Sequence, residues 1–244
     1  MNRLRRRTVD LNSRAIAHLK GCQHDEAVQL LSKGLNVFLR DSENKANRRP
    51  PSSERTRPWQ DGGERSCLVH SISIDSAADE EGGASYLDNM LPFFNRAFTV
   101  AVNAFEKAGS NSIEVPRSET TAILLYNIGL SYHHKGLTTG VSSSLKRALD
   151  FYEFAYDTLE AESRCGRGCS DLSRLVLLAI ATNMGHAYAY FYDVEETRSC
   201  RSIVAEIFAS ISPDSPVLSE DDYFFFYLSM IVYHDIDFCT APAA

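Results

Sequence analysis

The chain reads as an all-α protein built from helical hairpins, and three observations lead there. First, Leu125, Ile128, Gly129 and Tyr132 recur at the i, i+3, i+4, i+7 spacing of a helix face that packs on a neighbour. A glycine inside a helix costs about 1 kcal/mol against alanine, so Gly129 calls for a second helix lying very close. Ala148, Tyr152 and Ala155 form the answering small-large-small stripe. Second, the spacing recurs. Leu11, Arg14, Ala15 and His18 are followed by Gly21 and then Ala27, Leu31 and Gly34, and Ala181, Met184, Gly185 and Tyr188 by Thr197, Arg201 and Val204. Third, start and stop residues fall where hairpins need them.

The N-terminal residues 1–10 form a basic tail in this reading, and residues 11–40 form the first hairpin, turning at Gly21-Cys-Gln-His24. Asp25 and Glu26 suit the positive N-terminal end of its second helix. Residues 41–117 are an insertion. Ser42 to Arg65 is rich in Arg, Pro, Ser, Asn and Gly and nearly free of aliphatics, a composition that predicts disorder. Within the insertion, Cys67–Ile74 and Phe93–Val100 are rich in β-branched and aromatic residues and predict a small antiparallel β-hairpin. Its tip would be the acidic link Asp75–Asp88. A helix over Leu87–Lys107 is the rival, since Phe94, Ala97, Phe98 and Ala101 also fit helical spacing.

The second hairpin spans 118–160, with Ser118 as the expected N-cap, a first helix to about Lys135 and a second from about Leu145 to Leu159. The third spans 171–210 and is stopped by Pro213 and Pro216. Ser219-Glu-Asp-Asp222 is a Ser-x-x-acid start for a last helix over 219–235. That helix is apolar nearly all round and is expected to close the open end of the array, with docking of another chain as the alternative.

Leu11-Asn-Ser-Arg-Ala-Ile-Ala-His-Leu-Lys-Gly with Asp25-Glu26-Ala27, the stretch Leu125 to Ala155, and Ala181 to Val204 resemble tetratricopeptide (TPR) repeats. The resemblance covers about half the chain and implies a TPR-like array of three hairpins plus a capping helix. The departures are specific. The second unit carries extra residues around Thr138–Ser144, the third has Thr197 and Arg201 where alanine and an aromatic are usual, and no unit holds the consensus tryptophan or proline.

Charge is uneven. Residues 1–74 carry 14 Lys+Arg against 8 Asp+Glu, a net of +6, and the remainder carries 11 against 24, a net of −13, summing to −7. The basic part includes Arg3, Arg5, Arg6, Arg7, Arg48, Arg49, Arg55 and Arg57. No aromatics interleave these arginines to stack bases, which disfavours nucleic acid as a partner and leaves a nucleic-acid-associated accessory role as the alternative. The longest apolar run, Tyr223–Tyr233, is shorter than the ~18 residues of a membrane span. With no secretory signal, an intracellular protein is expected, cytoplasmic rather than nuclear. Of the six cysteines, Cys165 and Cys169 form the only close pair, and a zinc site lacks its second pair.

In a TPR array the first helix of each unit lines the concave groove. In several such families, asparagines there bond the backbone of an extended peptide. The resemblance therefore implies a peptide-binding groove with Asn127, Leu130 and His134 from the second unit and Asn183, His186 and Tyr190 from the third. The first unit offers Ser13, Ile16 and Lys20 with Asn12 adjacent. An amide side chain supplies both donors and an acceptor, which suits a backbone without dictating side chains. The cations of a carboxylate clamp are missing. No metal pattern, phosphate-binding loop or nucleophile elbow is present, so the chain is expected to be non-catalytic, without cofactor, and to bind a protein or peptide.

Overall fold

Apolar stripes at helical spacing become helices that pair side by side, and the computed structural model shows how. It describes residues 3–46, 69–74, 92–100, 115–164, 169–212, 215 and 217–236. Among them run α1 (Arg3–Lys20), α2 (His24–Ala46), β1 (Val69–Ser73), β2 (Arg96–Val100), α3 (Arg117–Thr139), α4 (Ser142–Arg164), α5 (Asp171–Tyr190), α6 (Val194–Ser210) and α7 (Glu220–Ile236). The described residues are mostly helical, with one small antiparallel sheet among them. α1 packs on α2, α3 on α4 and α5 on α6, and each pair touches the next through α2–α3 and α4–α5.

Glycine lets α4 approach α3 closely. A Cβ on Gly129 would lie 2.7 Å from the Tyr152 ring and 3.3 Å from the Ala148 carbonyl oxygen, so α4 rests directly on the α3 backbone. Gly136 repeats the device against Leu145, whose Cγ would be 2.6 Å from an added Cβ. Between these helices the expected long connection is absent. α3 continues to Thr139, Gly140 turns the chain in the left-handed region (φ 67°), and α4 starts at Ser142. The extra residues around Thr138–Ser144 thus lengthen both helices rather than the loop.

Three other boundaries differ from the sequence reading. The basic tail is helical from Arg3, because Thr8, Val9, Leu11 and Asn12 are buried on one side while Arg6, Arg7 and Arg14 point to solvent. α2 extends to Ala46, so residues 42–46 belong to a helix, while 47–65 and Asp75–Asp88 lie outside the described residues. Ser118 is not the N-cap of α3. Pro116 occupies that place without a side-chain bond, and the Ser118 hydroxyl is buried without a partner among the described residues.

The insertion contains the expected hairpin. β1 and β2 are antiparallel, pairing Val69 with Val100, Ser71 with Phe98 and Ser73 with Arg96. Of the range Leu87–Lys107 offered for the rival helix, the described residues 92–100 are extended and end in β2, and the rest lies outside the described residues. The largest fully buried side chains, Tyr126, Tyr152, Phe94, Phe98 and Phe226, come from α3, α4, the strand segment and α7. The centre of the core is therefore where the hairpin enters the helices.

α7 packs by Tyr223 on Phe208 of α6 (5.2 Å between ring centroids) and by Phe225 and Phe226 on Phe94 of the strand segment (5.1 and 4.8 Å). It lies on both the helices and the hairpin, and its opposite face leaves Phe224, Tyr227, Leu228 and Ile231 exposed.

Candidate functional site

In an antiparallel pair, alternate residues of a strand bond the partner strand and the residues between them turn their N–H and C=O to the other side. The Ile74 N–H donates to the Asn95 C=O (3.2 Å), so in this register residues 95, 97 and 99 face β1. Residues 94, 96 and 98 present their backbone groups to the helices, where side chains meet each of them.

At Phe98, Asn127 Oδ1 accepts from the N–H (3.0 Å) and Asn127 Nδ2 donates to the C=O (2.8 Å). Asn12 Nδ2 donates to the same carbonyl (3.0 Å), and its Oδ1 accepts from Asn127 Nδ2 (2.9 Å). At Arg96, the Tyr126 hydroxyl donates to the carbonyl (3.0 Å). At Phe94, Asn183 Oδ1 accepts from the N–H (2.8 Å) and Nδ2 donates to the C=O (3.2 Å). Asn12, Asn127 and Asn183 are at most 1% exposed. The first helix of every pair contributes one asparagine, and together they replace the strand that this edge lacks.

The side chains of the segment are held as well. Phe94, Arg96 and Phe98 share one face of the strand. Phe94 stacks on Phe226, Phe98 lies against Tyr126 (5.1 Å), and Arg96 Nε meets Asp222 Oδ1 of α7 at 3.1 Å. Asp222, 1% exposed, also accepts from the hydroxyls of Ser71 (2.7 Å) and Ser219 (2.6 Å). On the other face, Phe93 packs on His133 (4.3 Å), His134 (5.3 Å) and His186 (5.3 Å), and the Asn95 amide oxygen bonds His134 Nε2.

Behind the asparagines runs a buried polar chain. Asn183 Nδ2 also reaches the hydroxyls of Tyr126 (3.1 Å) and Tyr152 (3.3 Å). The Tyr152 hydroxyl meets His133 Nδ1 (3.3 Å), and His133 Nε2 meets His186 Nδ1 (3.0 Å). Burial, then the neighbouring His186 and His134, holds His133 well below the ordinary histidine range, so it is neutral. Burial likewise pushes both phenols far up, and they act as donors, not anions. A neutral imidazole has one donor and one acceptor nitrogen, so Tyr152 O–H to His133 and His133 N–H to His186 is a consistent direction for the chain.

Most of the expected groove residues therefore converge on one feature. Asn12, Asn127 and Asn183 do hold an extended backbone, and the strand is the chain's own. In α1 the residue equivalent to Asn127 is Asn12, whereas Ser13 and Lys20 are exposed. Leu130 is fully buried in the core. His134 and His186 contact side chains of the strand segment as described. Tyr190 packs edge-on against Phe191 (5.5 Å), and among the described residues no hydrogen bond ties it to the strand. Sequence reasoning placed Tyr152 in a packing stripe and Asp222 at a helix start but missed the hydrogen bonds of Tyr126 and Tyr152 and the Arg96–Asp222 pair, which all reach across to other elements of the fold.

Of the N-terminal arginines, Arg5 pairs with Asp41 (3.9 Å) and Arg14 with Asp10 (4.0 Å), while Arg48, Arg49, Arg55 and Arg57 lie outside the described residues. Cys165 also lies outside them, and Cys169 is half-buried. Among the described residues, no helix is long and apolar enough to cross a membrane. Comparison with protein-family models, curated proteins and solved structures returned no match.

Proposed function

We propose that the protein is a non-catalytic protein-binding module, a TPR-like array whose concave groove is a receptor for an extended strand and is occupied at rest by its own β2. The observation that carries this reading is the asparagine on the first helix of each hairpin. Two of them close both hydrogen bonds on a single residue of the extended segment that ends in β2, Asn127 at Phe98 within the strand and Asn183 at Phe94 just before it. Such contacts recognise backbone whatever the side chains, the chemistry by which extended peptides are captured. A partner strand gains the same bonds that β2 gives up, so exchange is set by competition with a tethered ligand. In the same reading α7 caps the array.

The test weakens the resident strand and supplies it in trans. A Phe94→Ala/Phe98→Ala variant is titrated with a labelled peptide spanning Pro92 to Val100, with binding read by fluorescence anisotropy and folding by circular dichroism. Saturable binding is expected if the variant remains helical, and peptide-dependent recovery of helix content if it does not. A helical variant that ignores the peptide, or an unfolded one that the peptide does not restore, would show that β2 is fixed scaffold and would end this reading.

A further inference from the structure

Resting on that strand-receptor reading, we propose that the groove selects its partner by side chain as well: it takes an extended segment of the form Phe-x-Arg-x-Phe, with a small residue after the arginine. The resident strand is the template. Three built pockets face residues 94, 96 and 98 on one side of the strand. Phe225 and Phe226 of α7 enclose the first phenylalanine, at 61° and 23° to its ring. Tyr126 of α3 receives the second.

Between them stands Asp222, whose side chain is 2% exposed while that of Arg96 is 23% exposed. A carboxylate this deeply buried needs a cation and hydrogen-bond donors to be stable. Ser71 and Ser219 supply hydroxyl donors, and among the described residues it is the strand residue at position 96 that brings the charge facing it from inside the groove. A neutral residue there leaves Asp222 without its cation, and an acidic one adds repulsion. Asp221, the other acid near Arg96 (3.7 Å), has an 82% exposed side chain and contributes little selectivity. On the opposite face Ala97 is fully buried, so a larger side chain at that position has no room.

The asparagines and the pockets make separable demands. The amides require only an extended backbone, whereas Asp222 and the aromatic rings require the right residues two apart. A partner protein is thus identified by chemistry: an exposed strand or disordered segment that presents two aromatics flanking an arginine.

The experiment uses the Phe94→Ala/Phe98→Ala protein with five peptides spanning Pro92–Val100. These are the native sequence and versions carrying Phe94→Ala, Arg96→Glu, Phe98→Ala or Thr99→Ala. Loss of about tenfold or more in affinity is expected for the first three substitutions, and a change within about twofold for Thr99→Ala, whose hydroxyl bonds the exposed His70 carbonyl. Changing Asp222→Asn in the protein should shrink the penalty for Arg96→Glu without altering that for Phe98→Ala. If all five peptides bind alike, the selectivity is refuted and backbone recognition alone survives. If none binds, the strand-receptor reading itself fails and takes the selectivity with it.

Discussion

Gly129 and Tyr152 are in direct contact, the ring of one lying where the other would carry a side chain. Tyr152 cannot swing aside. It is fully buried and its hydroxyl sits between Asn183 and His133. Gly129→Ala should therefore be destabilising, although alanine favours the helix by about 1 kcal/mol, because overpacking a fixed core costs about 1–3 kcal/mol. A net loss of up to about 2 kcal/mol is expected in chemical denaturation. A gain in stability would mean that α3 and α4 do not touch at Gly129.

The asparagines bind the strand at a depth where nothing else can satisfy it. Asn127→Ala leaves the N–H of Phe98 buried and unpaired, at a cost of about 1–3 kcal/mol. Asn183→Ala should do the same at Phe94. Because Asn12 also bonds the Phe98 carbonyl, Asn12→Ala is expected to cost less than Asn127→Ala. Hydrogen exchange at the Phe94 and Phe98 amides should accelerate in Asn183→Ala and Asn127→Ala respectively, and equal rates in both would contradict the assignment.

Acid should loosen the site through His133. Its folded-state affinity for protons lies well below the ordinary value of 6.5, so the unfolded chain binds the proton first as pH falls. Its contribution to stability is complete above that value and is lost progressively below it, by up to about 1.4 kcal/mol per pH unit. The groups around it are Tyr152 of α4, His186 of α5, His134 on its own helix and the ring of Phe93. His24, lowered chiefly by burial, adds a slope of the same sign. Glu119 runs the other way. Burial raises its carboxyl against the hydroxyl bonds of Ser170 and Ser173, so it gains stability as pH falls from its raised folded value toward 4.5. Unfolding free energies from about pH 7.5 to about pH 5.5 should slope less steeply in His133→Gln than in the wild type.

Thiol chemistry offers an independent check on α6. Cys200 is buried and its thiol is pushed up to about 12, first by burial and then by Glu196, whereas Cys22 is exposed at the α1–α2 turn. Since the thiolate is the reactive form, native-state alkylation followed by mass spectrometry should modify Cys22 well before Cys200. The order should vanish in denaturant.

How much of the fold and site is legible in the chain depends on how local each cause is. The Gly129 stripe and its answer at Ala148, Tyr152 and Ala155 are legible, because a glycine in a periodic helix costs stability unless a neighbour needs the space. The hairpin is legible as two β-rich segments, and the observed strands fall inside them. Its destination is not, since nothing near Phe98 in the chain points to Asn12 or Asn127. The register of α1 slips by one position because Arg14 occupies a stripe place and blurs which side faces inward. Ser118 fails as a cap because Pro116, with φ −53°, already sets the helix entry.

The hydrogen bonds from Asn12, Asn127 and Asn183 have a thermodynamic consequence. Helical arrays in which each unit touches only its neighbours can melt piecemeal, since stability is a sum of nearest-neighbour terms. Here α1, α3 and α5 all grip one short strand, which joins the first helical pair to the third without passing through the second. Unfolding either end strips buried bonds from the same segment, and this couples the ends. The expected behaviour is a single cooperative transition, with spectroscopic probes at Tyr152 and in α1 reporting one midpoint, where a chain of independent hairpins would show two.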